Sequence, residues 1–122
     1  MIIKALQSCA EFIAGDDTIL REILHPDKEK LELRYSLAHA VLKPGKTSYP
    51  HQLKTSEGYY ILEGEGIMHI EDENSKVFPG NTVYIPPDSK QYIHNSGTID
   101  LKFICIVDPA WKKEDELVLP HI

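Results

Sequence analysis

The sequence predicts an all-β domain, a double-sheet jelly-roll barrel with short helical segments near its termini. Two observations predict it. First, the runs of apolar, aromatic and β-branched residues are short, as at residues 82–85, 91–94 and 101–107. Second, each run is closed by a turn signal: Pro44-Gly45, Gly64 with Gly66, Pro79-Gly80-Asn81, Pro86-Pro87 and Asn95-Ser96-Gly97. Short strands punctuated this evenly read as a sandwich or barrel. Closing them into two packed sheets protects the strand edges from pairing with other chains.

The elements follow in chain order. Residues 6–15 read as a short helix, with Ser8 as cap and Gly15 as stop. Residues 18–24 are open between strand and helix, and His25-Pro26-Asp27 ends them, because proline constrains its predecessor and cannot donate a backbone hydrogen bond. Residues 28–30 read as a solvated turn and 31–42 as a strand. One face of that strand carries Ser36, Ala38, Ala40 and Leu42; the other carries Tyr35, Leu37, His39 and Val41. The stretch 45–64 reads as strand, bend, strand and turn, with Tyr59, Tyr60 and Ile61 favouring a pleated surface. Residues 67–70 form a strand and 71–75 a polar turn. Residues 76–78 then lead through a turn to strands at 82–85, 91–94 and 101–107. Asp108-Pro109 is expected to cap a terminal helical turn running to Glu116, with Trp111 packed on the barrel or on a partner.

With 122 residues, the chain suits one domain over 1–122, with a barrel core at about residues 31–108. The net charge of −6 lacks the basic footprint of a nucleic-acid binder. No apolar run approaches the roughly 20 residues that cross a bilayer. The first residues lack the charged head and long apolar core of a signal peptide, so the expectation is a cytoplasmic protein. Cys9 and Cys105 fit no metal or redox spacing and are expected to be reduced.

Gly45, His51, Glu57 and Gly64 fall on the spacing of the first motif of the cupin superfamily, and Gly80, Pro86 and Asn95 on that of the second. The chain thus resembles a small single-domain cupin over about half its length. It departs from the pattern where Leu53 stands in place of a second histidine, Asp88 in place of a glycine, and Gln91 in place of the last histidine. The resemblance implies a double-stranded β-helix and a divalent transition metal (Zn, Mn, Fe or Ni) held by His51, Glu57 and Gln91. Each has a plainer reading: a structural histidine, a glutamate at a strand edge, a polar pocket residue. An imidazole is a common borderline ligand, an acid entering an apolar strand is costly to bury unpaired, and an amide oxygen coordinates hard or borderline cations weakly.

Tyr59 and Ile61 share strand parity with Glu57, and Ile93 shares parity with Gln91, so these line the same cavity or pack the core. Phe103 and Cys105 face it from the last strand, and Tyr59 and Phe103 are the expected substrate contacts. His39 competes between the cavity and the outer face; the resemblance favours Ala38 and Ala40 inside. His69 and His94 alternate with apolar neighbours and are expected outside, and His25 and His121 are given no role.

The functional expectation is a small polar metabolite, a sugar or a carboxylate, bound or transformed through the metal by isomerase, dioxygenase or decarboxylase-like chemistry. Glu57 is the general base if it is not a ligand. The competing expectation is a non-catalytic ligand-binding module with an incomplete metal site. A homodimer is expected to form through an outer sheet carrying Leu37 and Val41 and through the apolar chain ends. No membrane or nucleic-acid partner is expected.

Overall fold

The computed structural model describes residues Met1–His121 and folds them into two antiparallel sheets facing one another. The strands are β1 (Glu11–Ile13), β2 (Ile19–Leu24), β3 (Ser36–Leu42), β4 (His51–Leu53), β5 (Ser56–Glu63), β6 (Gly66–Ile70), β7 (Glu73–Val77), β8 (Thr82–Ile85), β9 (Gln91–Asn95), β10 (Leu101–Asp108) and β11 (Glu116–Val118). One sheet runs in the order β1-β2-β3-β10-β5-β8, the other in the order β11-β4-β9-β6-β7. The expected all-β jelly roll is therefore the fold.

In the first sheet, β10 lies between β3 and β5, with Phe103 opposite Ala40 on one side and Ile61 on the other. Alternation along β10 buries Leu101, Phe103, Cys105 and Val107 against the second sheet. Phe103 is 1% exposed and packs on the Tyr59 ring at 4.5 Å between centroids. Burying such a ring stabilises the fold by about 2–3 kcal/mol. The inner face of β3 carries only the small side chains of Ser36, Ala38 and Ala40 at one end, which leaves space that a larger residue would fill.

Several elements differ from the sequence reading. Residues 6–15 form no helix: a single 3-10 turn, Leu6–Ser8, precedes β1, which pairs with β2 from Glu11↔Arg21 to Ile13↔Ile19. Sheet pairing outweighs the weak local helix preference. Residues 18–24 resolve as the strand β2. The long run 31–42 is strand only from Ser36. A one-turn helix α1 (Pro26–Glu29) replaces the solvated turn, with Pro26 in its first turn and the His25 ring accepting from the Asp27 N–H at 3.2 Å.

Residues 71–75 are not all turn. Glu71 and Asp72 alone connect β6 to β7, whose first four residues are exposed. A solvated edge strand shows no apolar alternation, which is why its sequence reads as loop. At the C-terminal end the expected helix is a 3-10 turn, Lys113–Asp115, followed by β11, which pairs with β4.

One end of the barrel is closed by backbone-directed bonds. The Asn95 side chain is fully buried. Its amide donates to the carbonyls of Leu42 and Ile99, and its oxygen accepts from the Gly97 N–H, all at 2.8–2.9 Å. Gly64 has φ +81°, and a Cβ there would lie 2.6 Å from the Asp100 carbonyl oxygen. A Cβ on Gly66 would lie 2.7 Å from the His94 carbonyl oxygen. The glycines after β5 are thus required by backbone packed against backbone.

Candidate functional site

The opposite end of the barrel is open. A cavity of about 580 Å³ lies there, walled by Ala38, Ala40, Tyr59 and Phe103, with His51 and Glu57 inside it. The N-terminal segment at Asp16 and the C-terminal segment from Trp111 to Glu116 form its rim. His25 ties that rim down: its Nε2–H donates to the Trp111 carbonyl at 2.7 Å, while Ser36 Oγ accepts from the Trp111 N–H at 2.9 Å.

The register builds the polar floor. Glu57 is the second residue of β5 and points inward, as do Tyr59 and Ile61 two and four residues on. His51 opens β4 and pairs with Gln91 of β9. Gln91 Nε2 donates to Glu57 Oε1 at 2.7 Å, and Tyr59 Oη donates to Gln91 Oε1 at 3.1 Å. An ionised carboxylate only accepts, so the amide turns its NH₂ to Glu57 and keeps its oxygen for the tyrosine. His51 Nδ1 lies 3.1 Å from the Tyr49 carbonyl oxygen, so this nitrogen carries the hydrogen, and the neutral ring keeps its lone pair on Nε2.

The electrostatics are set by crowded acids. Burial raises the Glu57 carboxyl to about 7, against the pull of His51 and the Gln91 hydrogen bond; Asp16 and Glu116 push the same way as burial. Glu116 is also raised, chiefly by burial. Asp16 Oδ2 approaches His51 Nδ1 at 3.8 Å, and Asp16 Oδ1 accepts from the Thr18 hydroxyl and N–H. The Tyr59 hydroxyl and the Cys105 thiol are pushed well up by burial, with Glu57 adding to each, so both stay protonated.

The structure thus brings His51, Glu57, Gln91, Tyr59 and Phe103 together. Ile61 and Ile93 pack in the core and do not line the cavity. His39 sits between Arg21 and Ile104 in the sheet register, while its neighbours Ala38 and Ala40 line the cavity, so its ring points away from the site. Leu53 is buried core.

Of the three residues expected to hold a metal, Glu57 and Gln91 are hydrogen-bonded to each other. The Gln91 oxygen accepts from Tyr59 with one of its two lone pairs, and its nitrogen donates to Glu57. Among the described residues, no three His, Cys, Asp or Glu side chains form a group that could hold a metal ion. His51 and Glu57 face the cavity, while Gln91, fully buried behind them, does not line it, so a metal held there would take water as further ligands.

Sequence reading missed Asp16, Glu116 and His25. Asp16 and Glu116 lie far from the motifs in the chain, and only the folding of both chain ends over the barrel mouth places them near His51. His25 lies beside a proline at a chain turn, which favours a structural reading; no local signal shows that its ring meets Trp111.

A family model described as the cupin domain matches residues 38–107, more than half the chain. The chain belongs to the cupin family. Among cupins and their relatives, the protein MJ1618 of Methanocaldococcus jannaschii, described as uncharacterized, is 40% identical over 109 residues, covering 88% of this chain and 86% of its own. An oxalate-binding protein of Thermotoga maritima is 30% identical over 71 residues, covering 57% of this chain and 59% of that protein. The structure of plu4264 from Photorhabdus luminescens superposes with a TM-score of 0.77 at 25% identity, covering 94% of this chain and 91% of that one. The matched motif residues therefore divide in two: Gly64 and Asn95 close one end of the barrel, and His51 and Glu57 line the cavity at the other.

Proposed function

We propose that the barrel binds a small hydroxylated metabolite of the sugar class, with Glu57 and His51 at the polar end and Tyr59 and Phe103 as the walls. One observation carries the reading. The polar groups at the inner end of the cavity include three acids, Glu57, Asp16 and Glu116, and Nε2 of His51, while the cations Lys28, Lys112 and Lys113 stand exposed at its mouth. An acceptor-rich, acidic floor favours a ligand that brings hydrogen-bond donors and disfavours a bare dianion. Apolar walls with a few convergent polar groups are the usual build of a small-ligand pocket. The oxalate-binding relative points toward small carboxylates, and the acids crowded around this cavity argue against that choice for the metal-free protein.

Glu57 sets the limit of the catalytic reading. A carboxyl near 7 is matched to proton transfer at neutral pH, so Glu57 is the residue to act as general base toward a bound hydroxyl or an adjacent carbon acid. The Gln91–Tyr59 chain holds the carboxyl in one orientation for that role.

A second reading keeps a divalent metal. It is favoured by the His51 Nδ1 contact to Tyr49, which orients the ring as metal-binding histidines are commonly oriented, with the other nitrogen free. Water would have to complete the ligand set. A homodimer belongs to this proposal too: Tyr60, Tyr84 and Ile106 are exposed on the outer face of the first sheet, and light scattering at micromolar concentration tests it. A cytoplasmic setting is supported by the free thiols of Cys9 and Cys105. No helix of the described residues is long and apolar enough to cross a membrane.

The test is ligand-observed NMR on chelator-treated protein, using a panel of neutral sugars and oxalate. Sugars that bind wild type and lose binding in Phe103→Ala and in Glu57→Leu support the reading. Oxalate binding without metal contradicts it. Oxalate binding that requires added Zn²⁺ or Mn²⁺ and is lost in His51→Ala supports the second reading in its place.

A further inference from the structure

A pair of histidines lies on the opposite side of the second sheet from the cavity. Gln91, Ile93 and Asn95 of β9 point into the barrel and are buried, so Tyr92 and His94 between them point outward. On the adjacent strand β6, Gly66 and Met68 face inward and His69 faces outward, opposite Tyr92. His94 stands opposite Ile67, so His69 and His94 are diagonal neighbours on one face, at a separation that long side chains bridge.

Both rings are held in place. The His69 ring stacks on Tyr92 at 4.2 Å between centroids and 11° between planes. His94 Nδ1 is hydrogen-bonded to Thr47 Oγ1 at 2.7 Å, where residue 47 bridges to the edge of β9. In the tautomer whose Nδ1–H donates to the Thr47 oxygen, Nε2 of His94 keeps its lone pair. Both histidines are part-exposed, so an ion reaches them from solvent.

We propose that His69 and His94 form a two-imidazole site for a divalent transition metal on the outer face of the second sheet, separate from the barrel cavity. The donor chemistry selects the ion. Imidazoles alone suit Zn²⁺, Ni²⁺ and Cu²⁺ and offer nothing to Mg²⁺ or Ca²⁺, which take oxygen ligands. Two adjacent strands of one sheet fix the spacing, the Tyr92 ring fixes one imidazole, and Thr47 fixes the other from behind, as a partner on the non-ligating nitrogen does in metal sites. Water completes the coordination, so the site is open.

The experiment is calorimetric titration of Ni²⁺ into untagged, chelator-stripped protein carrying His51→Ala, which removes any contribution from the barrel. One equivalent is expected to bind, with no heat for Mg²⁺. Binding is lost in His69→Gln and in His94→Gln, both of which keep a polar side chain of similar size, and circular dichroism checks that each is folded. Thr47→Val, which removes only the orienting bond, weakens binding by roughly 10-fold. Absence of Ni²⁺ binding in the His51→Ala protein overturns the site, as does binding that persists unchanged in either folded glutamine variant.

Discussion

The two ends of the barrel use polar residues in opposite ways. At the closed end, Asn95 is buried with its bonding capacity spent on three backbone partners, Leu42, Ile99 and Gly97. At the open end, Glu57 is also buried, yet one of its oxygens has no protein partner, and its acid is crowded by Asp16 and Glu116. Both ends carry residues of the same family motifs. The difference separates a motif residue bonded wholly to backbone, which holds the fold, from one left with unspent capacity in a cavity, which we propose serves a ligand.

The largest effect expected from breaking this contrast is at Asn95. Asn95→Ala leaves the buried Leu42 carbonyl, the Ile99 carbonyl and the Gly97 N–H without their side-chain partner, and is expected to cost about 3 kcal/mol by chemical denaturation. Gly64→Ala, forced to φ +81° against the Asp100 carbonyl, is expected to cost on the order of 2–3 kcal/mol. Neither change touches the cavity, so ligand binding by the folded fraction should persist. A neutral Asn95→Ala would break the closed-end half of the comparison.

The open end predicts an effect of opposite sign. Below pH 4.5 the folded and unfolded chains both hold the Glu57 proton. Between 4.5 and about 7 the unfolded chain has released it and the folded chain has not. Above about 7 the folded chain bears a buried charge, so stability falls as pH rises through that window, by roughly 3 kcal/mol in all. Glu57→Gln is expected to remove this slope and to raise the melting temperature at pH 8, with chelator present, by roughly 5–10 °C. Equal slopes for wild type and variant would contradict a costly buried carboxyl. The smallest effect is at Tyr59: Tyr59→Phe removes the donor to Gln91 Oε1 and should cost about 1 kcal/mol while loosening the Glu57 orientation.

The fold was legible because its signals are local. Turn residues such as Gly64, Pro79-Gly80 and Pro86 lie next to the strands they end, and the inner residues of β10 alternate without interruption. The misread stretches are those in which partner strands decide. Residues 11–13 become a strand through pairing with β2, β7 is a solvated edge, and residues 116–118 become β11 only against β4. The same split holds at the site. Strand parity from Glu57 reaches Tyr59, and parity along β10 reaches Phe103. The spacing of His51, Glu57 and Gln91 gave their meeting but not their bonding, because the Tyr59 hydroxyl that occupies the Gln91 oxygen comes from another strand. Asp16, Glu116 and the His25 tie to Trp111 arrive from the two chain ends, which no spacing within a motif encodes.

The measurement that bears most directly on the open end is a titration of the Glu57 side-chain carboxyl by ¹³C NMR in metal-free protein, with the Gln91 side-chain amide followed in parallel. The account predicts a midpoint at about 7 with the Gln91 signals moving at the same pH. A Glu57 midpoint near 4.5, with Gln91 unmoved, would mean a well-solvated or fully satisfied carboxylate and would contradict the assignment of this end of the barrel as the ligand site.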